Sequence, residues 1–215
     1  YPDKKYNLII TGSLFDGFSV FDTSQHLIKH FKLKPWEQTR CILKTEPYKY
    51  LVFTNGHPGI YLFNAKNFQL TTLNKNITKS FTSTDGYFTY VQPLTDTTAA
   101  LFCNNTVFII HHTTTNITFT QLPIQKTYSS AIVDDKKRLW LGETGKYFIL
   151  SIKNFVQGTP FGIQEKIFYL PQNTVTKCFY QDIEKNMWMG TEKGLYKLNS
   201  ETGAIMRVWK KKDGL

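Results

Sequence analysis

The histidines are the residues of this chain best suited to metal chemistry. His26 and His30 are four residues apart, a spacing that would place both imidazoles on one face of a helix. The adjoining segment 31–33 indicates a strand instead, where the same spacing would separate the two side chains by about 13 Å. His111 and His112 would point to opposite faces of a strand. The sequence therefore predicts no metal site at either pair.

Two groups of carboxylates could in principle serve as a general acid and base. They are Asp134 with Asp135 and Asp182 with Glu184, and each lies between two apolar alternations. Because Asp favours turns by bonding nearby backbone, we interpret both groups as turn residues. The chain also lacks the Gly-x-Gly-x-x-Gly, P-loop, Gly-x-Ser-x-Gly and His-Glu-x-x-His patterns. We therefore expect neither enzymatic activity nor a cofactor.

Composition indicates an all-β protein. Aromatic residues make up 15% of the 215 residues, with 17 Phe and 12 Tyr, and these types favour strands. Short alternating segments recur between clusters of Gly, Asn, Asp and Thr, whereas few stretches have the apolar spacing of a helix. No apolar run approaches the roughly 20 residues that a membrane span requires.

The chain is basic, with 26 Lys and Arg against 16 Asp and Glu and a formal charge of +10. The lysines are dispersed, apart from Lys210, Lys211 and Lys212, whereas a nucleic-acid site would gather them into a stripe with interleaved aromatic residues. We therefore expect no nucleic-acid binding. A solubilising basic surface is the favoured interpretation, and attraction of an anionic partner is the alternative.

The three cysteines show neither a CxxC motif nor a metal-binding spacing. Cys41, Cys103 and Cys178 each lie inside an apolar alternation, which predicts buried free thiols that pack as small hydrophobic residues. Cys41 and Cys178 occupy equivalent positions in different copies of the repeat described next, so we expect no disulfide between them.

A unit of 40 to 48 residues repeats along the chain. Its clearest copy is 187–199, where a strand, a tight Glu-Lys-Gly turn and a second strand form a hairpin. Further copies begin at Leu139, Ala100, Leu51 and Leu8. Their spacing is that of four-stranded propeller blades, because each hairpin is flanked by one more strand on either side.

The sequence thus predicts an all-β chain of about five β-propeller blades that form part of a larger propeller. As a single partial domain, its approximate blades are 1–34, 35–74, 75–122, 123–170 and 171–215. The first unit is expected to lack its inner strand, and the last to stop on a linker between blades. Such ends would expose an apolar blade face and an unpaired strand edge, so self-association is expected.

Residues 187–199 resemble the repeat of two-component regulator propellers, whose core is a strand with Trp and Gly-Thr followed by Gly-Leu-Tyr. The segment 138–142 repeats the front half of that motif. In the earlier copies, Ile9, Val52 and Leu101 take the place of Trp.

The motif residues have a structural role in this interpretation. Trp fills the space between adjacent blades, one Gly permits their close approach, and the Gly before Leu-Tyr permits the turn. The residues assigned to this role are Trp140, Gly142, Trp188, Gly190 and Gly194.

The resemblance implies a periplasmic sensor domain, the extracytoplasmic part of an inner-membrane histidine kinase that is often of the hybrid kind. Many such domains in gut Bacteroidetes detect oligosaccharides. The resemblance therefore implies an oligosaccharide ligand, which the basic charge allows to be anionic, and relay of a signal to the kinase. The membrane would be reached only through the parent protein.

A ligand would bind where loops from several blades converge. In a propeller these are the loops that enter the inner strands and the turns between second and third strands. Aromatic, polar and basic side chains at these places would stack on a sugar ring and bond its hydroxyls or carboxylate. The candidate residues are Trp36, Glu37, Arg40, His57, Tyr87, Tyr128, Glu143 and Lys177.

Two other functions stay open. The same loops could form a platform for a partner protein or for the propeller of a second subunit. A propeller lyase or glycosidase is less favoured, because no acid and base pair is evident. A small solute that raised the melting temperature would support sensing, whereas association without any solute would support the platform.

Overall fold

In the computed structural model, the described part of the chain forms five four-stranded antiparallel sheets. The structure describes residues 1–13, 16–35, 37–55, 59–73, 87–103, 105–113, 116–124, 127–157, 165–171 and 173–214. In every sheet the four strands are neighbours in chain order. This is the topology of a propeller blade, so the predicted all-β blade architecture is confirmed. Among the described residues, no helix is long and apolar enough to cross a membrane.

The blades belong to two compact units. Unit 1 comprises Tyr1–Cys103 and Val107–Gln121, and unit 2 comprises Asn104–Thr106 and Leu122–Leu215. Blades 1 to 3 lie in unit 1. Their strands are β1 (Pro2–Asp3), β2 (Leu8–Gly12), β3 (Phe18–Asp22), β4 (Leu27–Phe31), β5 (Gln38–Glu46), β6 (Lys49–Asn55), β7 (Ile60–Asn64), β8 (Gln69–Thr72), β9 (Phe88–Pro93), β10 (Thr98–Cys103), β11 (Val107–His112) and β12 (Ile117–Gln121).

Unit 2 contains blades 4 and 5. A short helix lies between the third and fourth strands of blade 4. The last strand of blade 5 leads into a 3-10 turn at Lys211–Asp213. The elements are β13 (Ser130–Val133), β14 (Arg138–Glu143), β15 (Lys146–Ser151), α1 (Lys153–Val156), β16 (Glu165–Tyr169), β17 (Thr176–Gln181), β18 (Met187–Thr191), β19 (Gly194–Leu198) and β20 (Ile205–Trp209).

The two Trp residues of the motif occupy equivalent positions, each tied to the turn before its strand. Trp140 Nε1 donates to Asp134 Oδ2 at 2.9 Å, and Trp188 Nε1 donates to Asp182 Oδ2 at 2.8 Å. In both turns the Asp backbone N–H also donates to the carbonyl oxygen four residues later. The carboxylates at these two positions therefore act in turn formation, as expected.

The two Trp side chains differ in burial. Trp140 is fully buried in an apolar cluster with Phe179, Met187 and Met189 of blade 5. Trp188 is only half-buried, because within unit 2 blade 4 packs against the other face of blade 5. The prediction of two equivalent buried positions thus holds fully for Trp140 and in part for Trp188.

The glycines after these positions mark where adjacent blades meet. A Cβ added at Gly142 would lie 2.5 Å from Thr176 Cβ of blade 5, and one at Gly12 would lie 2.7 Å from Thr39 Cγ2 of blade 2. These distances are too short for any side chain. Gly12 is thus the counterpart of Gly142, which makes Ile10 the counterpart of Trp140.

The register in unit 1 differs by one residue from the sequence alignment. Ile10 lies in the cluster that joins blades 1 and 2, and Ile9 is on the opposite side of its strand. The predicted counterpart Ile9 is therefore wrong, because a one-residue shift in a strand moves every side chain to the other face.

The same correction applies to blades 2 and 3. Val52 packs toward blade 1, whereas Phe53 lies in the cluster that joins blades 2 and 3. Leu101 belongs to that second cluster, so Phe102 lies on the other face of blade 3 and stacks on Tyr90, with ring centroids 5.8 Å apart. Phe53 and Phe102, rather than Val52 and Leu101, take the place of Trp.

Blade 1 also contains an inner strand, which the sequence did not predict. Pro2 and Asp3 pair with Ile9 and Leu8, and the amino terminus of Tyr1 donates to the carbonyl oxygen of Ile10 at 2.6 Å. The expectation that the first unit lacks this strand is wrong. A two-residue strand is too short to show an apolar alternation.

The three cysteines are free but unequally buried. Cys103 is buried and Cys41 is half-buried, whereas Cys178 is exposed on the face of β17 that blade 4 does not cover. The prediction of three buried thiols is therefore wrong for Cys178. Burial raises the pKa of the Cys41 thiol well above its ordinary value.

We predict that Trp140→Ala lowers the free energy of unfolding by about 3–5 kcal/mol, because it leaves a cavity between blades 4 and 5. Trp188→Ala should cost clearly less, since water already reaches that side chain. Chemical denaturation followed by circular dichroism measures both changes. Equal losses for the two variants would contradict the difference in packing.

We also predict selective alkylation of the thiols. At pH 8, iodoacetamide should modify Cys178 quickly and Cys41 slowly, because Cys41 stays protonated and shielded. Peptide mass mapping over a time course measures the rates, and the chain unfolded in guanidinium chloride serves as the control in which all three react. Equal rates for Cys41 and Cys178 in the folded protein would refute the prediction.

Candidate functional site

His26 and His30 do not converge on one metal site. His30 lies on β4 and His26 just before it, as the strand interpretation predicted. Each contacts its own carboxylate: His26 Nδ1 is 3.2 Å from Asp22 Oδ2, and His30 Nε2 is 3.2 Å from Asp16 Oδ2. The two imidazoles therefore serve separate local contacts.

Glu37, a predicted ligand residue of unit 1, is buried at the start of blade 2. Its Oε2 accepts a short hydrogen bond from the Tyr61 hydroxyl, and its Oε1 has no partner among the described residues. Burial and this bond raise the pKa of Tyr61 well above its ordinary value. With 3% of its surface exposed, Glu37 is a buried acceptor rather than a surface group.

Two other candidates of unit 1 lie on the surface. Arg40 is exposed, and its Nη2 donates to Gln38 Oε1 at 2.8 Å. Tyr87 precedes β9 and is 63% exposed. Trp36 and His57 lie outside the described residues. No described contact joins Glu37, Arg40 and Tyr87, so unit 1 does not gather them into one cluster.

The candidates of unit 2 lie at the loop ends of blades 4 and 5. The Tyr128 hydroxyl donates to the carbonyl oxygen of Thr106 at 2.9 Å, which fixes the segment before β13. Glu143 pairs with Lys146 across its own hairpin at 3.2 Å.

Lys177 pairs with a residue that the sequence had not singled out. Its Nζ lies 2.5 Å from Glu192 Oε1, which is in the turn between β18 and β19. Lys177 is therefore linked to the hairpin turn of blade 5. The ionic contacts at this end neutralise both carboxylates, Glu143 and Glu192.

A recess of about 690 Å³ lies beside this turn, and the sequence did not predict it. It is an open depression of the surface rather than an enclosed cavity. The lining combines the hairpin turn of blade 5 with the segment that follows β20. The lining residues are Gly190, Thr191, Glu192, Lys193, Gly194, Leu195, Lys210, Lys211 and Lys212.

The recess exists because β20 ends against the hairpin. Leu195 pairs with Trp209, so the chain leaves the sheet beside the turn. Gly194 has a φ of +142°, and a Cβ there would lie 2.2 Å from the carbonyl oxygen of Trp209. Only glycine permits this approach. The sequence shows the run of lysines after β20. It does not show that this run lies beside the turn that carries Lys193.

The face of blade 5 that blade 4 leaves uncovered carries a row of aromatic and basic side chains. Tyr180, Trp188, Lys197 and Arg207 stand opposite one another across the four strands. Trp209 lies 5.6 Å from Trp188 between ring centroids. Lys197 lies over the Trp188 ring and Arg207 over the Trp209 ring, at 5.4 and 4.5 Å. We call these five residues the aromatic face.

Comparison with known families identifies the repeat that carries the recess turn. The family model described as two component regulator propeller matches residues 169–193. This segment is similar to the two component regulator propeller repeat. It contains β17, β18, the Asp182–Trp188 hydrogen bond and part of the recess lining. The resemblance drawn from the sequence is confirmed there.

Solved structures with the same fold align with nearly the whole chain. PorZ, a surface component of the type-IX secretion system of Porphyromonas gingivalis, shares 12% identity with a TM-score of 0.69, covering 97% of this chain and 33% of that one. The extracellular domain of the putative one component system BT4673 from B. thetaiotaomicron shares 14% identity with a TM-score of 0.67, covering 99% and 28%.

A third structure is the extracellular domain of the putative hybrid two component system BT3049 from B. thetaiotaomicron. It shares 16% identity with a TM-score of 0.64, covering 96% of this chain and 29% of that one. This chain thus spans about a third of the length of the three structures. No curated protein matches it in sequence. At these identities, the likeness establishes the propeller fold.

Proposed function

We propose that this chain is a ligand-sensing segment of the extracytoplasmic region of a two-component regulator. It binds an oligosaccharide in the periplasm and relays the signal to a histidine kinase. The observation that carries the proposal is the recess of about 690 Å³ at the turn of blade 5, part of whose lining belongs to the matched regulator repeat. The neighbouring extracellular domains of BT4673 and BT3049 support this location.

The proposed role is recognition without catalysis. Asp134 and Asp182 hold turns through the Trp indoles, and Glu143 and Glu192 are paired with lysines. A general acid and base would instead need two carboxyl groups facing one cleft, with one of them protonated. The loop ends supply lysine and backbone N–H donors, which suit the hydroxyl and carboxylate oxygens of a sugar.

We predict that an oligosaccharide ligand raises the melting temperature and binds at the blade 5 turn. Screening a panel of neutral and acidic oligosaccharides by thermal shift, followed by isothermal titration calorimetry, tests this. Glu192→Gln frees Lys177 and should change the affinity, whereas Lys166→Ala, at an exposed position on β16, should leave it unchanged.

The proposal also requires the ligand to leave unaltered. Mass spectrometry of the oligosaccharide after prolonged incubation should show only the starting compound. A shortened or unsaturated product would instead support a lyase or glycosidase. If no member of the panel binds, the sensing function is refuted.

A platform for association is the second candidate, and the aromatic face favours it. The equivalent face of blade 4, around Trp140, is covered by Phe179, Met187 and Met189 of blade 5. The aromatic face repeats that surface, with Tyr180 60% exposed. Its proposed occupant is a blade of a second copy of this chain.

We predict that the chain associates with itself through the aromatic face. Sedimentation velocity across a concentration series should show a species larger than the monomer, and Tyr180→Asp should weaken its formation because a carboxylate is costly to bury. Tyr169→Asp is the matched control, since Tyr169 is 77% exposed on β16. A monomer at all concentrations, or equal effects of both variants, would refute this mode of association.

A further inference from the structure

His112 is a buried histidine in the contact between blades 2 and 3. It is the last residue of β11, and 3% of its surface is exposed. Phe108 and Ile110 precede it at intervals of two residues and lie in the apolar cluster that joins these blades. Because side chains alternate along a strand, His112 lies on the same face as these two residues and is directed toward blade 2.

The surroundings of His112 within blade 3 hold it in this position. Its cross-strand partner on β12 is Ile117, which packs against the same apolar cluster. Its backbone N–H donates to the carbonyl oxygen of Thr97 at 2.9 Å, in the turn before β10. The imidazole therefore lies at the edge of an apolar core between two blades.

The opposing face of blade 2 carries an ion pair at the same end. Glu46 ends β5 and Lys49 begins β6, and Lys49 Nζ lies 2.8 Å from Glu46 Oε2. Lys49 is on the same face of β6 as Leu51 and Phe53, which pack toward blade 3. Glu46 is the cross-strand partner of Lys49 and shares that face. The ion pair thus faces blade 3.

The charged and titratable groups of blade 3 near His112 lie away from this contact. Asp96 is exposed in the turn that supplies the carbonyl oxygen of Thr97. His111 precedes His112 and is directed to the opposite face of β11. Lys49 is already paired with Glu46. Glu46 is therefore the charged group that favours a proton on His112.

Burial outweighs that attraction. It lowers the pKa of His112 below its ordinary value of 6.5; the Glu46 carboxylate opposes this shift, and His111 adds to it. A charged imidazole would have to give up its hydration to stay between the blades. The closed contact is therefore complementary to the neutral imidazole.

We propose that the contact between blades 2 and 3 is an acid-sensitive junction, closed while His112 is neutral and opened when its imidazole takes up a proton. The proposal concerns unit 1 and does not depend on the proposed ligand. Opening hydrates the imidazole, so the open form binds more protons than the closed form. The closed form is fully favoured above pH 6.5 and loses stability as the pH falls through that value. The loss levels off below the lowered pKa of His112.

Cys103 provides a reporter, because it is fully buried in the apolar cluster of this junction. Its labelling by dithiodipyridine is followed by peptide mass mapping, and each rate is divided by the rate of the chain unfolded in guanidinium chloride at the same pH. Between pH 7.5 and pH 5.5 this ratio should rise about fivefold to tenfold, as expected for the uptake of one proton on opening.

Two histidine variants assign the effect. His112→Gln keeps a polar side chain that does not titrate, so the labelling ratio of Cys103 should change less than about twofold over the same pH range. His30→Gln is the matched control, since His30 is exposed on β4. It should keep the full rise. Circular dichroism confirms that both variants fold.

The proposal would be overturned by a constant labelling ratio in the unchanged chain, by a rise that persists in His112→Gln, or by a rise that His30→Gln abolishes. Titration of the imidazoles of the unchanged chain by NMR is a second test that needs no variant. A midpoint for His112 below pH 6.5 would support the junction. A midpoint at or above this value would refute it.

Discussion

One contact between neighbouring blades organises each unit: a large apolar side chain on the second strand packs against the next blade, and a small residue two positions later lets that blade approach. Ile10 and Gly12 make this contact with blade 2, and Trp140 and Gly142 make it with blade 5. A single four-stranded sheet cannot bury both of its faces. The free energy of burial, about 25 cal/mol per Å², is therefore gained mainly between blades.

The polar groups at the loop ends take their positions from the same contact. Thr39, which meets Gly12, donates from Oγ1 to the carbonyl oxygen of Gly17 at 2.9 Å. In unit 2 the Ser129 hydroxyl donates to the carbonyl oxygen of Thr176 at 2.6 Å, and the carbonyl oxygen of Gly142 lies 3.1 Å from the same Oγ. Loops that begin from such fixed points are rigid supports for recognition.

The sequence predicted the blades because strand alternation and hairpin turns are local patterns, and it predicted the Asp182 turn for the same reason. It misplaced Ile10 by one residue, since two adjacent isoleucines leave the face of a strand undecided until a neighbour packs on it. Glu37 was predicted as a surface ligand, but its burial against Tyr61 depends on a strand 24 residues away. The sequence did not reveal the recess, because its lining combines Lys193 with Lys210–Lys212, and strands β19 and β20 lie between them in the chain.

The end of β20 is held to its sheet by the pairing of Trp209 with Leu195, and beyond it the chain passes into Lys210–Lys212. Terminal hydrogen bonds of this kind are the first to open in local unfolding, well below the free energy of global unfolding. A ligand in the recess would contact both the turn of blade 5 and Lys210–Lys212. It would therefore bind only the closed form and would suppress this fraying by mass action. Ligand binding would then slow amide hydrogen exchange where β20 passes into Lys210–Lys212. This is a change in local stability that requires no change in conformation.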